Sequence, residues 1–115
     1  MQRRLGVSVL IAVALALTGL HGVVTRGPTM PACKVGTPCS EPAAGAVLLF
    51  DRAGRAAVRV RTDARGRYAV RLAPGAYVVR VAPRPRIGFG IRPAEVRVLP
   101  GVWRRVDFAI DTGIR

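Results

Sequence analysis

The sequence predicts an all-β domain, a seven-stranded antiparallel sandwich of two sheets, and three observations predict it. Apolar residues recur at every second position in several short runs, Gly-containing bends separate the runs at intervals of about eight to twelve residues, and no segment repeats at helical period. Strands of this kind carry one apolar face each, so two sheets must close on one another to take both faces out of water.

Met1 to Arg4 form a short basic segment, and Leu5 to Leu17 an apolar run. The run is about 13 residues, shorter than the roughly 20 that a helix needs to cross a bilayer. Residues 1–16 therefore read as a secretory signal, with Ala14-Leu15-Ala16 as a small-x-small cleavage motif. An uncleaved anchor is the alternative, because Thr18 to Val24 stays fairly apolar. Arg3-Arg4 is half of what a twin-arginine export signal requires, and no Cys follows the apolar run to carry a lipid. The expected location is secreted or extracytoplasmic.

The domain is expected over residues 21–110. His21 to Arg26 is a first strand, ended by Gly27-Pro28. Residues 27–45 hold Pro28, Pro31, Pro38, Pro42 and both cysteines of the chain, and have no periodicity, so they form a long loop. In an oxidising compartment Cys33 and Cys39 should pair, closing a short ring that contributes roughly 2 kcal/mol by the chain-entropy estimate. A metal site is the competing use of the two thiols, but only His21, the single histidine, could join them. Neither metal nor cofactor is expected.

From Ala46 the pattern is regular. Residues 46–50 form a strand, Asp51 to Gly54 a turn, and Arg55 to Arg61 a strand with Ala56, Val58 and Val60 facing inward. Thr62 to Gly66 turns again, and Arg67 to Leu72 points Tyr68, Val70 and Leu72 inward. After Pro74-Gly75 the apolar face continues through Tyr77, Val79 and Val81. Residues 83–93, PRPRIGFGIRP, break the rhythm and read as a second long loop. Glu95 to Leu99 and Val102 to Ile110 are the last two strands, burying Val96, Val98, Val106, Phe108 and Ile110. The tail, residues 111–115, reads DTGIR; it is read as a cap on the last strand, with partner docking as the alternative.

The chain is strongly basic, with a formal net charge of +13 and Lys34 as its only lysine. Such charge favours anionic surfaces: lipid headgroups, acidic wall polymers or nucleic acid. A plain bias toward Arg codons, with every arginine merely solvated, accounts for it equally.

Thr62-Asp63-x-x-Gly66-Arg67-Tyr68 followed by Leu72-x-Pro74-Gly75-x-Tyr77 resembles the signature of carboxypeptidase regulatory-like domains, which the B-type repeats of collagen-binding adhesins share. The resemblance spans roughly residues 44–110 and implies a Greek-key, prealbumin-like (transthyretin-like) sandwich. It implies no particular activity, since the matching residues are those that fold hairpins. The paired cysteines and the terminal DTGIR are also similar to a group of small exported bacterial proteins that carry this domain alone.

Catalysis is not expected. Beyond the signal segment the chain has one His, one Ser at position 40 and no Asn, so a Ser-His-Asp triad would need His21 drawn across the fold. The Lys-Asn isopeptide bond of related adhesin repeats is excluded without Asn, and the terminal Tyr-Arg-Gly-Ser motif of hydroxyisourate hydrolases, which share the fold, is missing.

Binding is the expected role: a structural or accessory module contacting an unidentified protein or cell-envelope polymer, with loop 33–39 made rigid for recognition. Two alternatives name residues. Arg84, Arg86 and Arg92 could meet the phosphates of an anionic membrane surface while Ile87, Phe89 and Ile91 enter it; burial of these apolar groups in a bent edge strand is the competing reading. Trp103 could stack on a sugar ring, Tyr68 and Tyr77 being assigned to the core. Nucleic acid has charge in its favour, but no recognition motif, and export argues against it.

Overall fold

The computed structural model describes residues 18–33, 35–36, 38–53, 55, 57–82 and 90–113. The signal segment 1–16 and most of the basic loop lie outside these residues. The described residues form β-strands and connecting turns in two layers.

The first layer is organised around one long strand, β1 (Gly19–Gly27). Along one side it pairs antiparallel with β5 (Arg67–Arg71) and then with the two-residue β2 (Glu41–Pro42). Along the other it pairs parallel with β9 (Trp103–Arg105) and then with β10 (Phe108–Asp111), which pairs in turn with β7 (Ile91–Arg92). The second layer has the order β4 (Val58–Arg61), β3 (Val47–Asp51), β6 (Gly75–Ala82), β8 (Glu95–Val98), all neighbours antiparallel.

The all-β, two-sheet prediction holds, and its finer description is corrected in two respects. Among the described residues there are ten strand segments where seven strands were expected, and the first sheet is mixed, because β1 runs parallel to both β9 and β10. The expected single strand Val102–Ile110 is divided. At the break, the Val106 amide donates to the His21 carbonyl, while the Val23 amide donates to Asp107 Oδ1 at 2.9 Å. A side-chain oxygen thus takes the place of a ladder carbonyl, and the chain steps from the upper to the lower half of β1. Two further elements come from stretches read as loops: β2 on the far side of the disulfide, and β7, where Ile91 pairs with Ile110.

Alternation places most of the core as expected; Val58, expected inward, is instead 37% exposed, because it begins the edge strand β4, and Ala56 lies outside the described residues. Leu20, Val24, Tyr68, Val70, Ile91, Phe108 and Ile110 face Leu48, Phe50, Tyr77, Val79, Val96 and Val98 across the sandwich. Phe50, Tyr68 and Phe108 form an aromatic cluster with ring centroids 5.5 to 6.3 Å apart. Such ring pairs favour tilted or edge-on contact, and the 67° angle between Phe50 and Phe108 follows that preference. Both tyrosine hydroxyls find acceptors, Val106 O for Tyr68 and Ala73 O at 2.6 Å for Tyr77. Burial pushes the Tyr68 phenol well above its ordinary range, with the Asp107 charge adding to the shift.

The Thr62–Gly66 turn is held by its own side chains. Asp63 Oδ1 accepts from the amides of Arg65 and Arg67 at 2.9 and 2.8 Å. Thr62 is buried, donates its hydroxyl to Ala43 O and accepts from Ala46 N at 2.8 Å, tying the end of the long loop to the core. The tail caps β10: the Thr112 amide donates to Gly27 O, and its hydroxyl to Pro28 O at 2.7 Å.

Candidate binding face

The face of the first sheet that points away from the core carries the molecule's most accessible chemistry. Alternation along β1 sends Leu20 and Val24 inward, and therefore Gly19, His21, Val23 and Thr25 outward. Register then fixes their neighbours. Gly19 lies between Arg71 of β5 and Trp103 of β9, and one step along, His21 lies between Ala69 and Arg105. Trp103 is 42% exposed, although it belongs to a sheet. Its ring is nearly parallel to that of His21, at 12°, with centroids 5.5 Å apart. Gly19 makes room for the indole: a Cβ there would come within 2.7 Å of a Trp103 ring carbon.

Asp107 closes the row beside Arg105. It accepts from Val23 N at 2.9 Å and from Arg105 Nε at 3.3 Å, and these partners, the Val23 amide first, hold its carboxyl below the usual carboxylate range. On β5, Arg67 is paired with Asp63 at 3.0 Å, whose carboxyl is lowered chiefly by the Arg67 amide.

Farther down the same face, small side chains leave a groove of about 560 Å³. Thr25, Gly27 and Ala109 form its floor, the Cys33–Cys39 disulfide and Ser40 one wall, and Arg92 and Asp111 its rim. The disulfide spans Cα atoms 5.6 Å apart, within the ordinary range. The loop is also tied down by the Thr29 amide, which donates to Cys39 O at 2.8 Å.

The sequence-predicted site residues are distributed as follows. Cys33 and Cys39 are joined to each other, so neither thiol is left to bind metal, and His21 stacks on Trp103 six residues up the strand from Gly27. Arg84, Arg86, Ile87 and Phe89 lie outside the described residues. Ile91 is buried, because pairing of β7 with β10 turns it between the sheets, which for this residue is the edge-strand burial weighed against membrane insertion. Arg92 is exposed, on the rim of the groove. Trp103 is exposed as expected, but not isolated. Its companions His21, Arg71 and Arg105 were not legible as a group, because they meet only through the pairing of β1 with β5 on one side and with β9 on the other. Compared with protein-family models, with curated proteins and with solved structures, the chain matches none.

The outer face of the second sheet differs in kind. Arg59, Arg61 and Arg80 flank half-buried Val47 and Leu49, and Arg80 is engaged by Asp51.

Proposed function

We propose that the chain is an exported, non-catalytic binding module of the carboxypeptidase regulatory-like kind, which uses the outer face of its first sheet to hold a cell-envelope polymer. The observation that carries this reading is the disulfide-walled groove, continuous along β1 with an exposed aromatic and two arginines. A loop already fixed by a covalent bond loses little entropy on binding. The apolar segment ahead of Thr18, read as an export signal, and the disulfide both suit an oxidising compartment. The Thr62-Asp63…Gly66 and Leu72…Tyr77 residues support the family assignment, since each has the turn or core role that the signature implies. Attachment to an anionic membrane through residues 83–93 stands second, having lost Ile91 to the core.

The test is co-sedimentation of the purified chain with isolated cell-wall polymer, oxidised and after Cys33→Ser with Cys39→Ser. The reading expects the oxidised chain in the pellet and a several-fold smaller bound fraction for the double variant. A chain that stays in the supernatant at low salt with every wall fraction rules the function out.

A further inference from the structure

Trp103, backed by the stacked His21 ring, presents exposed indole surface bracketed by cations, and we propose that this surface is a subsite for an acidic saccharide, a sugar ring that bears a carboxylate. The inference rests on the binding role proposed above and names the chemical class of ligand for one end of that face.

Three features converge. The indole lies over Gly19 and is 42% exposed, so it offers ring surface to a ligand in the way that flat, weakly polar partners need. The His21 ring stacks on the indole, within 12° of parallel, and so fixes its orientation beside β1. Arg71 and Arg105 are set on either side of β1 by strand register, opposite Gly19 and His21 respectively. Their strands lie two inter-strand spacings apart, roughly 10 Å, which is the width of one or two sugar rings. A guanidinium recognises a carboxylate by paired, charge-assisted hydrogen bonds, and Arg71 together with Arg105, whose Nε is shared with Asp107 at 3.3 Å, can hold an acidic ring against the indole.

The same chemistry disfavours the other anionic partners. A lipid tail needs a deep apolar slot, whereas Ala69, Gly19 and the two rings make a shallow sheet surface. Single-stranded nucleic acid is held by successive stacking platforms along a basic channel, and among the described residues the outer face of this sheet offers one ring pair, bridging β1 and β9.

Trp103 is the only tryptophan, so its emission reports on this subsite alone. The oxidised full chain would be titrated with an oligouronate, with an uncharged oligosaccharide of equal length, with oligo-dT and with anionic phosphatidylglycerol vesicles. Saturable change in Trp103 emission with the oligouronate is expected, with at least tenfold weaker binding of the uncharged analogue. Arg71→Gln and Arg105→Gln should each weaken oligouronate binding about tenfold, the loss of one charged hydrogen-bonded contact. Both side chains are exposed, so the variants keep the fold, and an unchanged thermal midpoint verifies it. An unperturbed Trp103 emission, equal affinity for the uncharged sugar, full affinity in both Arg variants, or a response to oligo-dT or vesicles in place of the oligouronate would each overturn the subsite. Wall polymer that still pellets the chain in those cases leaves the wider binding role standing; loss of that sedimentation as well removes both.

Discussion

At the residue scale, Thr62 shows how one side chain can close a loop. Its hydroxyl serves Ala43 O and Ala46 N at once, and both Ala43 and Ala46 are buried. Thr62→Val keeps the shape but strands a donor and an acceptor, so it should destabilise the domain by about 2 kcal/mol, seen as a lower denaturant midpoint with unchanged slope. Gly66 is the second sensitive position: its φ of +76° is one that L side chains rarely adopt, and a Cβ would come within 2.4 Å of Val24 O. Gly66→Ala should cost more than 1 kcal/mol, by the left-handed penalty of about 1 to 2 kcal/mol together with the clash. A midpoint equal to wild type would contradict it. Asp51, Asp63 and Asp107 set the pH response. All three carboxyls lie below their ordinary value in the folded state, so their stabilisation is complete above the unfolded value of about 3.9 and is lost as pH falls through the lower folded values. Denaturant midpoints should therefore stay level from pH 7 to about pH 5 and decline below pH 4. These turn residues were legible in the sequence because Asp and Gly act on backbone within a few positions of themselves. The reach of Thr62 across sixteen and nineteen residues was not legible, since nothing local encodes it.

At the element scale, alternation was read correctly in β5 and β6 but not at Val58 of the edge strand β4, and strands set by their partners were missed. Tyr68, Val70, Leu72, Tyr77 and Val79 are buried where period two places them. The division of Val102–Ile110 into β9 and β10 depends on Val23, more than eighty residues earlier, whose amide takes a carboxylate instead of a carbonyl. Ile91 likewise looked like part of a Pro-rich loop, because its burial is decided by Ile110. Removing the carboxylate exposes the dependence. Asp107→Ala should speed hydrogen exchange of the Val23 amide about tenfold, with little change at Leu20. Equal protection in both proteins would show that the junction does not need the side chain.

At the scale of the whole molecule, the sandwich leaves two outer faces of unlike character. One sets arginines beside half-buried Val47 and Leu49; the other combines Trp103, His21, two flanking arginines and a groove beside the disulfide. The sequence offered Trp103 and the cysteine pair as separate candidates, and the long strand β1 puts them on one surface. A net charge of +13 draws anionic partners to the protein at large, so charge alone cannot choose between the faces. Contact mapping can. Amide chemical-shift changes recorded while solubilised cell-wall fragments are added should concentrate at His21, Thr25, Ala69, Arg71, Trp103, Arg105 and Ala109. Changes centred on Leu49, Val78 and Arg80, or none at saturating fragment, would contradict a binding role for the outer face of the first sheet.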